Sequence, residues 1–174
     1  LLEQQRGELA DQRENERAIR AERLENLRFV RVASAARSAD RPLNFQGLDL
    51  SGTNLTGVDL SGADLTSVDL SGAQLYRSDL SNARLFGANL TGAAIIESDF
   101  SGANLGVADL TGAALFGSRF DQATLVGADF TNVTLDGADL STADMVATDL
   151  TGVRWDPANP PIWPDSLRPP VNVQ

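Results

Sequence analysis

From residue 45 to residue 155, every fifth position of this chain is large and apolar. The series is Phe45, Leu50, Leu55, Leu60, Leu65, Leu70, Leu75, Leu80, Leu85, Leu90, Ile95, Phe100, Leu105, Leu110, Leu115, Phe120, Leu125, Phe130, Leu135, Leu140, Met145, Leu150 and Trp155. A smaller side chain, often Ala, stands two residues before most of them. A period of five matches neither the 3.6-residue period of a helix nor the two-residue period of a strand. The chain must therefore turn once per repeat and bury the same two positions each time.

The repeat unit is Ala-Asp/Asn-Leu-Ser/Thr-Gly, clearest in the segments SGADL, SGANL and TGAAL. This pattern resembles the pentapeptide-repeat family. The resemblance implies an all-β solenoid, a right-handed quadrilateral β-helix with one repeat on each side and four repeats in each coil. Twenty-three repeats then make about six coils. With coils stacked at roughly 4.8 Å, the solenoid is expected to be about 28 Å long.

Composition divides the chain into three parts. Residues 1–40 are charged and rich in helix formers, which predicts an N-terminal helix and linker, with Phe29, Val30 and Val32 covering the first coil. Residues 41–155 form the predicted β-helix. Residues 156–174 hold six of the seven prolines and are expected to form a C-terminal cap and tail. Proline cannot donate a ladder hydrogen bond, so the ladder is expected to end there.

Several kinds of chemistry are excluded by composition. The chain has no Cys and no His, and all 14 basic residues are Arg. Thiol nucleophiles, disulfides, histidine bases and Schiff-base lysines are therefore excluded. Stacked carboxylates lack the enclosing carbonyls of a cation site, so no metal site is expected. We expect no cofactor and predict that the protein is not an enzyme.

Outward positions twenty residues apart should stack in columns. Two opposite sides then carry acidic ladders, one of Asp49, Asp69, Asp109, Asp129 and Asp149 and one of Asp59, Asp79, Asp99 and Asp139. One interpretation is that Asp is simply the repeat's turn residue, bonded to nearby amides. The other is a charged surface for a cationic partner. Like charges about 5 Å apart should raise one another's pKa unless amide hydrogen bonds offset the repulsion.

The position after the core residue is usually Ser or Thr, but on two opposite sides it is apolar. One side carries Tyr76, Ile96 and Phe116, and the other carries Phe86, Val126 and Val146. A contiguous exposed apolar strip normally marks a contact surface. Three occupants remain open for it: the chain's own N-terminal helix, a second copy in a homodimer, or a foreign protein.

Two functional hypotheses follow. The first is a non-catalytic structural or protein-interaction module of unknown partner. The alternative is an acidic DNA mimic that binds and modulates DNA gyrase or another topoisomerase. The resemblance implies it, since some family members resemble duplex DNA, bind type II topoisomerases and protect against quinolones. Residues 43–174 carry five Arg against sixteen Asp and Glu, a net charge of −11, which fits mimicry and disfavours direct binding of nucleic acid.

The expected location is the cytoplasm. No apolar run approaches the roughly 20 residues of a membrane span, and no signal-peptide pattern is visible. Since the chain starts at Leu1 rather than Met, a tether to the inner membrane through an upstream segment is a further expectation.

Overall fold

A computed structural model of the chain describes residues 2–36, 43–168 and 170. The first element is a single long helix, α1 (Leu2–Ala35). Oppositely charged residues three or four positions apart, such as Glu16 with Arg20 and Glu25 with Arg28, favour this helix. The side chains that the structure describes from residue 5 to residue 22 are all exposed, so none of them is buried against the solenoid.

From Asn44 onward the backbone forms isolated parallel β-bridges between residues twenty positions apart. The first coil contributes four of them, Asn44 to Asp64, Asp49 to Asp69, Asn54 to Gln74 and Asp59 to Asp79. Each bridge is closed by two hydrogen bonds. The Leu50 amide donates to the Asp69 carbonyl at 2.8 Å, and the Asp69 amide donates to the Leu48 carbonyl at 2.9 Å. Four bridges per twenty residues give each coil four sides, and the coils stack as a β-solenoid.

We number the four sides in the order in which the chain reaches them. Their core residues are Phe45, Leu65, Leu85, Leu105, Leu125 and Met145 on the first side, Leu50, Leu70, Leu90, Leu110, Phe130 and Leu150 on the second, Leu55, Leu75, Ile95, Leu115, Leu135 and Trp155 on the third, and Leu60, Leu80, Phe100, Phe120 and Leu140 on the fourth. The first side is opposite the third, and the second is opposite the fourth.

The core is filled by the large repeat residues. All of them from Phe45 to Leu140 are at most 1% exposed, as the period of five predicts. Phe100 and Phe120 stack in one column, with ring centroids 5.2 Å apart and an interplanar angle of 15°. The chain turns at the second residue after each core residue, where Gly112, for example, has a φ of +67°. That left-handed region favours glycine.

A column of buried serines on the fourth side is a feature that the sequence did not lead us to expect. Ser78, Ser98 and Ser118 occupy the inward position that Ala fills in many other repeats. The Ser118 hydroxyl accepts a hydrogen bond from the Ser98 amide at 3.2 Å and donates to the Ile95 carbonyl at 2.8 Å. The Ser118 hydroxyl therefore links the Ser98 amide to the Ile95 carbonyl, two backbone groups that belong to one turn of the preceding coil.

Helix α1 covers the start of the solenoid. Val30 is fully buried, Leu27 and Ala33 pack against the core, and Phe29 meets Phe45 edge to face at 5.6 Å. Val32, expected in this contact, is exposed instead. The helix buries residues spaced three apart, because those share one face.

Two side chains of α1 complete the open edge of the first coil. Asn26 Nδ2 donates to the Asp49 carbonyl at 2.9 Å, and Arg31 Nη2 donates to the Asn54 carbonyl at 2.7 Å. In later coils the carbonyls at these positions accept from the amides of the coil before. The helix thus supplies donors where no earlier coil exists.

The ladder continues past Trp155, where the prolines were expected to end it. Ile162 bridges to Asp139, twenty-three residues earlier, so the chain inserts three extra residues after Arg154. The Ile162 amide donates to the Ala138 carbonyl at 2.9 Å. Pro160 and Pro161, which have no amide donor, lie before the bridge and therefore do not interrupt it. Trp163 then packs against Trp155 with ring centroids 5.8 Å apart.

Candidate docking faces of the solenoid

The aspartates of both ladders belong to the turns of the repeat. In most of them Oδ1 accepts a hydrogen bond from the amide two residues later, as Asp69 does from Ser71 and Asp99 from Ser101, both at 2.9 Å. Asn54 makes the same bond with the Thr56 amide at 2.9 Å. The carboxylate therefore has a local structural role that an amide side chain can also fill.

These hydrogen bonds lower several carboxyl pKa values. Partial burial of Asp49 and Asp109 acts to raise their pKa, but hydrogen bonds outweigh this effect. Asp49 accepts them from Ser51 and Arg23, and Asp109 accepts them from Thr111 and Thr91. Hydrogen bonds from Thr66 and Thr151 lower the pKa of Asp64 and Asp149. At Asp49, Asp109 and Asp149 the pKa is therefore lowered, because hydrogen bonds offset the like-charge repulsion, as was expected for acids bonded to turn amides.

Arginines break the continuity of the acidic ladders. Arg23 of α1 pairs with Asp49, Nε to Oδ2 at 2.8 Å, at the first coil of the second side. Arg119 lies within the ladder of the fourth side and contacts Asp99 at 3.6 Å and Asp121 at 2.7 Å. The second side beyond Asp49 therefore holds the longer negative surface, through Asp69, Asp109, Asp129 and Asp149.

The apolar strip on the third side is only partly exposed. Phe116 is exposed, while Ile96 and Tyr76 are half-buried between the neighbouring rows. Ala94 and Ala114 stand beside them, and an exposed ion pair between Arg77 and Glu97, Nε to Oε2 at 2.6 Å, borders the strip. The contacts of α1 fall on the first coil, so the chain's own helix does not occupy this strip.

The first side carries the more exposed apolar surface, and it includes a residue that sequence reasoning missed. Phe86, Val126 and Val146 are joined there by Val107. The signal was present in the sequence, because Val107 stands in a column that otherwise holds Gly47, Ser67, Gly87, Gly127 and Ala147. We call Phe86, Val107, Val126 and Val146 the first-side patch.

The described residues contain no group of acidic side chains arranged to hold a metal ion. No helix in residues 2–36 or 43–168 is both long and apolar enough to span a bilayer. A groove does run between α1 and the first coil, lined by Ile19, Leu24, Leu27 and Thr53 among others. Because the repeat core is filled, a partner meets the outer surface of the described residues and not an internal cavity of the solenoid.

The chain is similar to known repeat proteins. A sequence profile described as "Pentapeptide repeats" matches residues 44–82, 83–122 and 115–152 in eight copies. No curated protein matches the chain. Among solved structures, a pentapeptide repeat protein (Rfr23) from the cyanobacterium Cyanothece 51142 is 30% identical, over 66% of this chain and 90% of that one, with a TM-score of 0.48.

Two further structures are similar. A pentapeptide repeat protein of the Arabidopsis thaliana thylakoid lumen is 33% identical over 53% of this chain and 68% of that one, with a TM-score of 0.34. QnrB1, a plasmid-mediated fluoroquinolone resistance protein, is 23% identical over 66% of this chain and 78% of that one, with a TM-score of 0.40. The family profile spans more than half of the chain, in the same residues that form the twenty-residue coils. The chain therefore belongs to the pentapeptide repeat family.

Proposed function

We propose that this protein is a non-catalytic interaction module, a solenoid that presents a docking face to a protein partner. The observation that carries the proposal is the column of Tyr76, Ile96 and Phe116 on the third side, at positions where the repeat usually has Ser or Thr. Solvent-facing apolar side chains in three successive coils favour contact with another protein. The lack of His, Cys and Lys supports a role without catalysis.

The solenoid suits such a role because its faces are held in fixed register. Every coil is bonded to the next through its four sides, so the spacing between rows is set by backbone hydrogen bonds. A partner that matches the strip therefore meets a surface already in its bound shape, which lowers the entropy cost of association.

A photo-crosslinking residue placed at Ile96 tests this proposal in the native host. Thr56, in the same column of the first coil, is the matched control position. We expect one discrete crosslinked protein from position 96, and loss of its co-purification when Phe116 is changed to Ser. Equal products from both positions, or a product that survives Phe116→Ser, would refute the docking face.

The second candidate is an acidic mimic of duplex DNA that binds DNA gyrase or another topoisomerase. A specific observation supports it: Asp109 and Asp149 are exposed while their Oδ1 atoms accept the turn hydrogen bonds, so the turn role and the display of negative charge are compatible. The turn role of Asp and the intervening arginines count against it.

A gyrase supercoiling assay separates the two candidates. Asp69, Asp109, Asp129 and Asp149 are changed to Asn, which keeps the turn acceptor, as Asn54 shows, while removing four charges. Asp49 is left intact because it anchors α1 through Arg23. Inhibition by the parent that the variant loses supports mimicry, particularly if added salt abolishes it. Inhibition by neither protein excludes it.

We propose a cytoplasmic location, with a tether upstream of Leu1 as the alternative. Cell fractionation of the full-length protein distinguishes the two, since a tethered protein sediments with membranes and resists extraction by high salt.

A further inference from the structure

The first-side patch is a flat apolar surface spread over four coils. Its members Phe86, Val107, Val126 and Val146 are 51%, 54%, 36% and 65% exposed. Two of them lie along the face instead of projecting from it. A Cβ atom on Gly106 would come within 3.2 Å of the Phe86 ring, and one on Gly127 within 3.3 Å of Val107 Cγ1. Because Gly106 and Gly127 have no side chain, Phe86 and Val107 can each pack flat against the backbone of the next row.

Val107 occupies a backbone conformation that its side chain disfavours. Its φ is +50°, in the left-handed region, and the other residues of its column are Gly47, Ser67, Gly87, Gly127 and Ala147, none of which is β-branched. A β-branched residue there is strained. Strain retained at an exposed apolar residue points to a role outside the stability of the fold.

A polar column runs beside the patch and carries opposite charges at the two ends of the patch. Within the four rows of the patch it holds Arg84 in the row of Phe86, then Asn104, Thr124 and finally Asp144 in the row of Val146, and beyond Arg84 it continues to Asp64 and Asn44. The Arg84 side chain is 73% exposed, and its Nη1 lies 3.8 Å from Asp64 Oδ2. Asp144 forms no ion pair within residues 2–36 and 43–168. Over the four rows of the patch, the column therefore has Arg84 at one end, also facing Asp64 of its own chain, and Asp144 at the other.

We propose that the first side is a self-association face, on which a second copy packs antiparallel about a two-fold axis perpendicular to the solenoid axis. Such an axis, placed between the rows of Val107 and Val126, keeps each column opposite the same column and reverses the order of the rows. Phe86 then meets Val146 of the second copy, and Arg84 meets Asp144 of the second copy. The two-fold repeats both contacts, so two charge pairs flank a continuous apolar centre.

A parallel arrangement lacks this match. It would place the two Arg84 residues in one row and the two Asp144 residues in another, so that like charges gather at each end. Charge complementarity therefore selects the antiparallel dimer. The third side lies opposite the first and stays free in this dimer, so self-association is independent of docking at Tyr76, Ile96 and Phe116.

The dimer is expected to be weak. Four rows at about 4.8 Å span only about 14 Å from first to last. That patch is smaller than the roughly 800 Å² per partner of a standard interface. We therefore expect dissociation constants of micromolar or higher, within the range of sedimentation velocity at concentrations from about 10 µM to about 1 mM.

A charge-swap experiment tests the geometry. Arg84→Glu alone sets a carboxylate against Asp144 of the second copy, and Asp144→Arg alone sets a guanidinium against Arg84 of the second copy. Each single variant should therefore dimerise at least about tenfold more weakly than the parent. In an equimolar mixture of the two variants, a heterodimer pairs the introduced carboxylate with the introduced guanidinium at one end and the native Arg84 with the native Asp144 at the other. The mixture should therefore form heterodimers with near-parent affinity.

Val126→Glu supplies a second test that does not disturb either charge. Its matched control is Ile96→Glu, at the equivalent repeat position on the opposite side. Circular dichroism confirms folding of each variant. Self-association lost with Val126→Glu and kept with Ile96→Glu is the expected result. A parent that stays monomeric up to about 1 mM, a dimer that survives Val126→Glu, or a mixture of charge variants no tighter than either alone would overturn the proposal.

Discussion

Where the residue before a core residue is Asp or Asn, its side chain accepts the same turn hydrogen bond in either case. Asp69 accepts from the Ser71 amide at 2.9 Å and Asn89 from the Thr91 amide at 3.0 Å. The sequence alone placed these residues in columns but left two interpretations of the acids, because a column of letters does not show which donors surround a carboxylate. The described hydrogen bonds establish the turn role, and the carboxylates that are Asp rather than Asn add charge to it.

Acid should destabilise the fold through these aspartates. Hydrogen bonds lower the pKa of Asp64 and, despite the opposing effect of burial, of Asp109, so the unfolded chain binds protons more readily than the native protein. Their contribution is fully present above the ordinary Asp value of about 4 and is lost as the pH falls through the lower native values. The melting temperature should fall between about pH 5 and about pH 3 by this mechanism.

Variants at these two positions check that mechanism. The double change Asp64→Asn and Asp109→Asn should reduce the acid-induced fall in melting temperature, because the amide does not titrate. The control is Asp165→Asn, at an exposed residue outside the ladders. An identical fall in parent and double variant would contradict the mechanism.

Val107→Gly should make the protein more stable. Glycine relieves a left-handed β-branched residue at a φ of +50°, and the free energy of unfolding should rise by about 1 kcal/mol. Urea unfolding measures the change, with Ala147→Gly as the comparison in the same column. Weaker self-association of the more stable variant would tie the strain to the first-side patch, whereas a loss of stability would show that Val107 serves the fold.

Helix α1 shows what sequence reasoning can and cannot reach at the level of an element. Its existence follows from composition, and Phe29 and Val30 were expected at the first coil, but the rest of its docking face was not, because the helix has few apolar residues to mark it. Leu27, Val30 and Ala33 make the contact, and Asn26 and Arg31 are placed by the carbonyls of a coil edge. Those carbonyls are a property of the solenoid, so the face of α1 becomes defined only when both elements are present.

The buried serine column predicts a large effect from a small change. Ser118→Ala removes the hydroxyl that joins the Ser98 amide to the Ile95 carbonyl and leaves two buried backbone groups without that partner. The expected loss is about 1–3 kcal/mol in the free energy of unfolding. Ser101→Ala is the control, because the buried Ser101 hydroxyl has no hydrogen-bond partner among the described residues. Equal effects of the two changes would argue against the proposed link.

Across the whole molecule, acidic and apolar sides alternate. The second and fourth sides carry the ladders, and the first and third carry the apolar residues. This arrangement was predictable from sequence because, with a strict period of twenty residues, the number of a residue determines the side and the coil on which it lies. Prediction failed at the C-terminal end, where three inserted residues shift Ile162 out of that count.

Truncation tests how α1 contributes to the whole. Removal of residues 2–22 should leave the melting temperature nearly unchanged, because its described side chains are exposed. Removal of residues 2–36 should lower the free energy of unfolding by at least about 2 kcal/mol, since the fully buried Val30 is lost together with its neighbours. Thermal unfolding of the two truncated proteins measures the difference. Equal stability of the two would contradict a capping role for residues 23–36.

The hydrogen-bond donors that Asn26 and Arg31 bring to the first coil also affect whether molecules can stack end to end into a fibre. Stacked β-coils resemble the cross-section of an amyloid, in which every open edge recruits another strand. Here the carbonyls of Asp49 and Asn54 are already bound by side chains of a helix, which offers no template for a following molecule. On these two sides the first coil offers no free carbonyl to an added strand, which disfavours growth of the rod into a fibre at this end.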